Sequence, residues 1–100
     1  MRFCQIIDFE TDRIDEMREL IGQFDQQYAG HEGGPTHRIV LQDRGNPRRH
    51  LVIVEFASHE DAARNNERPE TQQLSERLVA MCTRPPVFTD CDVREMTELK

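Results

Sequence analysis

The most apolar segment of the chain, from Leu51 to Phe56, carries hydrophobic side chains on both faces of a predicted strand. Because side chains alternate across a strand, Leu51, Ile53 and Glu55 point to one face and the even-numbered residues to the other. A chain of 100 residues has enough helix to cover only one of these faces. The other face is therefore predicted to meet a second copy of the protein.

The spacing of apolar residues around this segment predicts the order strand, helix, strand, strand, helix, strand. The strands are predicted at residues 2–9, 36–43, 49–56 and 87–96, and residues 14–28 carry apolar side chains at steps of three and four. Gly30 is predicted to end the first helix, and 31–35 to form a loop with His31 in solvent. A turn at 45–47 joins the second and third strands.

The second helical region is predicted to start at Ser58, which with Asp61 resembles a capping box. It is predicted to break near residues 65–68, because Pro69 suits only the first position of a new helix. The whole order matches an α+β, ferredoxin-like split βαβ fold, in which a four-stranded antiparallel sheet carries its helices on one face. Right-handed crossovers place the first and third strands at the centre. Residues 1–96 are predicted to form one domain and 97–100 a tail.

Composition and charge narrow the classes of function. A net charge of −6 argues against general nucleic-acid binding, which needs a basic surface. No run of about 18 apolar residues is present, so no membrane helix is predicted, and without a visible signal sequence the cytoplasm is the expected location. The spacing of the cysteines Cys4, Cys82 and Cys91 matches no metal or disulfide framework, so we expect reduced, packed thiols and no bound metal.

Glu55 is the most notable candidate for chemistry, because it is an acid at the end of an apolar central strand. If it is buried, desolvation suits it to proton transfer; the alternative is a solvated carboxylate or an ion pair with an arginine across the subunit boundary. Gln5 on the first strand is predicted either to orient a ligand carbonyl or to hold a loop. Asn65 and Asn66, at the helix break, either face a cavity or form a helix terminus.

His37 and His50 begin the two strands of the predicted hairpin, where they are expected to approach each other across the ladder. A neutral imidazole there would act as a base or a metal ligand, although two histidines without a third ligand are a weak metal signal. Nearby, Arg44, Arg48 and Arg49 form a locally basic hairpin. They are either solvated, guide an anionic substrate, or meet acidic segments of the partner.

The first seven residues, the helical stripe after them, the hairpin into Leu51 to Phe56, and the segment Ser58-x-Glu60-x-Ala62 resemble the dimeric α+β barrel superfamily. Within it, the chain is most similar to small proteins related to antibiotic-biosynthesis monooxygenases. The resemblance implies two subunits whose sheets pack face to face, with a ligand cavity between sheet and helices in each. Gln5 is the nearest counterpart to the first-strand Asn of the oxygen-using members, and the chain lacks the Trp that accompanies it.

Two functional classes follow. The first is an enzyme of the cofactor-free monooxygenase or isomerase type, acting on a small aromatic or polyketide-like compound. In this class the candidates are Glu55 and His50 for catalysis, and Gln5, His37, Asn65 and Asn66 for ligand contact. The second class is a non-catalytic dimer that binds a small molecule. The two are expected to differ in whether Glu55 and Gln5 converge on one enclosed pocket.

Overall fold

The computed structural model describes residues 1–28, 30 and 32–100, so the prediction for His31 lies outside the described residues. Its elements follow the predicted order: β1 Phe3–Glu10, α1 Ile14–Tyr28, β2 His37–Asp43, β3 Asn46–Phe56, α2 His59–Glu67, α3 Pro69–Ala80 and β4 Val87–Asp92. The four strands form one antiparallel sheet in the order β2-β3-β1-β4. The predicted ferredoxin-like fold, with β1 and β3 at the centre, is confirmed.

Local side-chain chemistry sets the helix boundaries. The Ser58 hydroxyl accepts a hydrogen bond from the Asp61 amide at 3.1 Å, and Pro69 opens α3, as the sequence predicted. Buried Thr11 accepts from the Arg13 amide at 3.0 Å and donates to the Met81 carbonyl at 2.7 Å. A single hydroxyl therefore ties the start of α1 to the end of α3.

The largest differences from the predicted boundaries are at the hairpin turn, where β3 begins at Asn46 instead of residue 49, and at the end of β4. The turn lies at Arg44 and Gly45, not at 45–47, because the Asp43 carboxylate accepts from the Gly45 amide at 2.7 Å and Asp43 pairs with Asn46. The fourth strand ends at Asp92 instead of residue 96. Its partner β1 begins at Phe3, which pairs with Asp92, so the residues after Asp92 have almost no strand to pair with.

The two faces of the sheet have different surroundings. Phe3 and Phe9 of β1, with Val52 and Phe56 of β3, are buried beneath the helices and form the core together with residues such as Met17. The opposite, open face carries an apolar band from all four strands, namely Ile39, Leu41, Leu51, Ile53, Ile6 and Val87. No described element covers this band, and Ile39, Leu41 and Val87 are exposed.

One end of the open face carries a network of ion pairs. Arg49 bridges Asp8 at 2.8 Å and Asp43 at 3.1 Å, and Arg84 adds contacts to Asp8 at 2.8 Å and Glu10 at 3.4 Å. Hydrogen bonds from the Arg49 and Arg84 guanidinium groups lower the pKa of Asp8 from 3.8 to about 2. The network links β2, β3, β1 and the segment before β4.

We expect Asp8→Asn to lower stability by about 1 kcal/mol at neutral pH, a figure that allows for the partial exposure of the arginines. Because the folded-state pKa lies below the unfolded value, this contribution is present above about pH 4 and is lost as the pH falls toward about 2. The unfolding temperatures of Asp8→Asn and the unmodified protein should therefore converge as the pH falls across that range. Asp15→Asn, which removes an exposed carboxylate outside the network, should show no such convergence.

Candidate functional site

A cavity of about 210 Å³ lies between the helix-facing side of the sheet and helices α1 and α3. Helices α1 and α3 turn apolar residues toward the sheet, and Met17 and Leu78 pack with Phe9 and Val52 in the core beside the cavity. Its walls are mainly hydrophobic and include Ile7, Val52 and Val54 from the sheet, Met17, Ile21 and Phe24 from α1, and Leu74 and Leu78 from α3. Such a site suits a small, mainly apolar ligand.

Four of the polar residues that line the cavity group at one end of it. Gln5 and Arg38 lie on either side of Val54 in the sheet, and Asn65 and Asn66 lie at the break between α2 and α3. The Gln5 amide nitrogen donates to the Asp90 carboxylate at 3.2 Å, which leaves the Gln5 carbonyl oxygen as an acceptor. A ligand would therefore place its polar substituents at this end.

A second, more polar cavity of about 330 Å³ adjoins this end. The two cavities share Phe24, Pro35, Arg38 and Asn65 as lining residues. Arg38 stands between them and holds Asp25 of α1 through two hydrogen bonds of 2.8 and 3.0 Å. The polar end of the first cavity thus continues toward the surface.

Among the described lining residues of the first cavity, only Arg18, Arg38 and Cys82 carry ionisable side chains. Burial raises the pKa of the Cys82 thiol, whose sulfur donates to the Leu78 carbonyl at 3.4 Å. A thiol with a raised pKa is a poor base at neutral pH. The described lining therefore offers hydrogen bonds and positive charge, but no carboxylate or imidazole for proton abstraction.

Glu55 lies on the open face of the sheet, away from the cavity that Gln5 and Asn65 line. Its side chain is 14% exposed and lies 3.1 Å from His37 Nδ1 and 3.6 Å from Arg2 Nη1. Convergence of Glu55 and Gln5 on one pocket, the feature expected of the enzyme class, is not observed in this chain. The alternative, a carboxylate paired with an arginine, matches the geometry, although Arg2 belongs to the same chain.

His37 and His50 do not approach each other, so that prediction is wrong. In an antiparallel hairpin the start of one strand lies opposite the end of the other, and His37 pairs with Glu55 while His50 pairs with Gln42. His50 is buried, stacks on Phe9 with ring centroids 5.5 Å apart, and has Nδ1 3.2 Å from the Arg48 carbonyl. It lines neither cavity, whereas His37 lines the second.

We expect Glu55→Gln to cost less than about 1 kcal/mol, because Arg2 and His37, the two partners of this carboxylate, are both more than half exposed. Urea unfolding at fixed protein concentration measures the change. Glu60→Gln, an exposed acid in the first turn of α2, serves as the control. A loss of several kcal/mol would instead identify Glu55 as part of a buried ion pair, for example in an assembled interface.

Two arginines of the basic hairpin form ion pairs within the chain. Arg48 pairs with Asp12 at 2.7 Å and Arg49 with Asp8 and Asp43, so these two arginines are already neutralised. All three cysteines are free thiols, and burial together with the neighbouring Cys91 raises the pKa of Cys4. Within the described residues no group of three potential ligands is arranged to hold a metal ion, and no helix is long and apolar enough to cross a membrane.

Sequence reasoning missed four polar lining residues: Arg18, Arg38, Thr71 and Ser75. Arg18 directly follows Met17 of the apolar stripe and Ser75 directly follows Leu74, so each lies beside the stripe at the edge of the cavity. The only sequence signal for these two residues is their position directly beside an apolar stripe. Many solvated residues occupy that position too, so the signal does not identify a cavity residue.

Comparison with known proteins supports the fold. No protein-family model and no curated protein sequence matches the chain. Among solved structures, SnoaB, a cofactor-independent oxygenase from Streptomyces nogalater, superposes with a TM-score of 0.78 at 14% identity and 95% coverage of each chain. A candidate antibiotic biosynthesis monooxygenase from Nitrosomonas europaea gives 0.76 at 16% identity, covering 97% of this chain and 94% of its own. Rv0793 from Mycobacterium tuberculosis gives 0.76 at 11% identity, covering 98% and 100%. The resemblance predicted from the sequence is confirmed at the level of the fold.

Proposed function

We propose that this protein is a homodimeric, cofactor-independent monooxygenase that oxidises a small, electron-rich aromatic compound bound between the sheet and the helices. The observation that carries the proposal is the apolar cavity with its polar end at Gln5, Asn65 and Asn66. It would hold a ring system by its apolar walls and orient ring substituents by hydrogen bonds. The fold shared with a cofactor-independent oxygenase supports this chemistry over others that the cavity alone would allow.

The reaction balances without a cofactor when the substrate carries an activated methylene between aromatic rings. The methylene carbon is oxidised by four electrons, which reduce O₂. One oxygen atom becomes the new carbonyl oxygen, and the other leaves as water with the two methylene hydrogens. In this proposal the chain holds the ring against the apolar walls of the cavity and places Gln5 and Asn65 beside its oxygen substituents. In this proposal Glu55 and His50, which line neither cavity, support the structure and do not touch substrate.

The dimer part of the proposal rests on the uncovered apolar band of the open face. A compact monomer of 11.7 kDa is expected to expose roughly 5,900 Å². The isolated chain exposes 7275 Å². This surplus includes the tail after β4 and the open face, and a homodimer interface of ordinary size would remove about 800 Å² from each subunit. A face-to-face pair would cover the band with its own copy, as a two-fold interface requires.

The oxygenase is tested by O₂ uptake in the presence of a hydroxylated anthrone, a fused-ring ketone with an activated methylene. We expect Leu74→Trp, which fills the cavity, to lower the enzymatic rate by at least about tenfold while the chain stays folded by circular dichroism. Leu99→Trp, at an exposed tail position, should leave the rate unchanged. Isotopically labelled O₂ should give one labelled atom in the product. An equal rate in Leu74→Trp and the unmodified protein would contradict a reaction in this cavity.

A non-catalytic ligand-binding dimer is the second candidate, and one observation favours it. The described cavity lining contains no carboxylate or imidazole that would act as a base. This candidate predicts saturable binding of the same anthrone with no O₂ uptake above the uncatalysed rate. The single experiment above therefore separates the two functions.

A further inference from the structure

Two of the three cysteines lie opposite each other across the β1–β4 ladder. Cys4 of the central strand β1 pairs with Cys91 of the edge strand β4, and both are half-buried free thiols on the open face of the sheet. On the other side of Cys4, the same row of the register continues through Glu55 to His37. The row therefore forms a polar end to the apolar band. Cys82 lies on the opposite face, where it lines the first cavity.

The backbone places the two thiols within reach of a covalent bond. The Val93 amide donates to the Arg2 carbonyl at 2.9 Å, so these two residues form a hydrogen-bonded pair. Bonded and non-bonded pairs alternate along an antiparallel ladder, and Cys4 and Cys91 lie two residues further on, so they form a pair of the same kind. The Cα atoms of such a pair are about 5.5 Å apart, inside the roughly 4.4 to 6.8 Å range of disulfides. The Cβ atoms are about 1 Å further apart than a relaxed disulfide prefers, so a bridge here stores strain.

The surroundings of Cys4 favour its protonated form. Burial raises the pKa of the Cys4 thiol, and interactions with Cys91 and with the Glu55 carboxylate raise it further. A negative charge on this sulfur would lie beside the negative charge of Glu55, whereas Cys91 is one strand further from that carboxylate. Because thiolates are the reactive species, the pair is expected to stay reduced until an oxidant is abundant.

We propose that Cys4 and Cys91 are a site of reversible oxidation, at which a small disulfide such as oxidised glutathione joins β1 to β4 through an intrachain disulfide bond. The Cys91 thiolate attacks one sulfur of the oxidant, whose S–S bond breaks and releases one thiolate. Cys4 then loses its proton and attacks the Cys91 sulfur, which releases the second thiolate. The two protein thiols lose two electrons in total, and their two protons end on the two thiolates that the oxidant becomes.

This bond would hold the edge strand β4 in place. The strand pairs with β1, carries Phe88 of the first cavity wall, and carries Asp90, which accepts from the Gln5 amide at 3.2 Å. A covalent link at Cys91 would therefore oppose fraying of this side of the sheet. The strain in the bridge makes it easy to reduce, so the link is reversible. The inference does not depend on what binds in the cavity.

The test treats the whole protein with oxidised glutathione at about pH 8.5, where thiolates form, at a fixed protein concentration. We expect the mass to fall by two hydrogen atoms, and proteolytic fragments to be joined through Cys4 and Cys91 until dithiothreitol separates them. The midpoint of thermal unfolding should rise by about 5 to 15 °C, less than the chain entropy of the closed loop alone would give, because strain offsets part of the gain. Cys82→Ser should match the unmodified protein in both measurements.

Serine variants of the pair, made in the Cys82→Ser background, serve as the matched controls. Cys4→Ser and Cys91→Ser should each hold one glutathione as a mixed disulfide, and neither should show the thermal shift. A bridge to Cys82, a bridge between two chains, or one glutathione on each cysteine without a bridge would overturn the inference. Two thiols left unmodified would overturn it as well, and a bridged protein with an unchanged midpoint would refute the role in holding β4. The proposed oxygenase would stand in each of these cases.

Discussion

Replacing Ile53 with Asp is expected to convert the proposed dimer into a folded monomer. Ile53 lies at the centre of the open face, paired with Ile6 on one side and Ile39 on the other. In the separated chain a carboxylate at this position stays in contact with water, so the fold survives. In a face-to-face pair the two copies would bury two unpaired charges, at a cost of about 3 to 5 kcal/mol each, which would weaken association by several powers of ten.

Light scattering at micromolar concentration measures this directly, since the monomer has a mass of 11.7 kDa. Leu99→Asp introduces the same charge at a position that is 93% exposed and should leave the assembly unchanged. If circular dichroism shows that Ile53→Asp unfolds, Ile39→Glu on the edge strand gives the same test, because that residue is 51% exposed in the single chain. A dimer that persists in both variants would show that the interface lies elsewhere.

Phe56→Ala is expected to produce a large loss of stability. Its ring is 3% exposed, packs against Ala62 and lies 6.4 Å from the ring of Phe3. Deleting a buried phenyl group costs about 3 to 5 kcal/mol through lost burial and the cavity that remains. That is a large share of the roughly 5 to 15 kcal/mol typical of a domain.

Urea denaturation at one fixed protein concentration is the appropriate measurement, because assembly makes apparent stability depend on concentration. Phe88→Ala, at a ring that is 48% exposed, is the matched control and should cost under about 1.5 kcal/mol. Comparable losses in the two variants would mean that Phe56 does not anchor the core under α2.

The fold was predictable because local and long-range signals agree. The apolar stripe of α1, the cap at Ser58 and the position of Pro69 each specify a boundary through nearby atoms, and all three were predicted correctly. The end of β4 was not predictable in this way. A strand stops where its partner stops, and β1 lies more than eighty residues away in sequence. The turn at Arg44 and Gly45 was missed because a single Asp43 hydrogen bond decided it.

The site was predictable only in part. The alternation in β3 correctly placed Glu55 with Ile53 and opposite to Val54, which is why Glu55 lies on the open face. Alternation along a strand does not predict which residues line a cavity, because that depends on the distance between the helices and the sheet. Arg18 and Ser75 therefore gave no distinct signal. The catalytic role that the sequence suggested for Glu55 and His50 is untested and is replaced in our proposal by a structural one, whereas the ligand role of Asn65 stays a prediction.

The strand order β2-β3-β1-β4 also governs the order in which the nascent chain can fold. Of the four strands, β1 is synthesised first and becomes central, yet its two neighbours are made much later, and Phe3 must wait for Asp92. Only the β2–β3 hairpin and the helices can form from contacts close in sequence. Because contacts between distant residues slow folding, the sheet closes late and β1 keeps one unpaired edge until β4 has been released. A chain cut before β4 would retain that edge and lose Phe88 from the cavity wall.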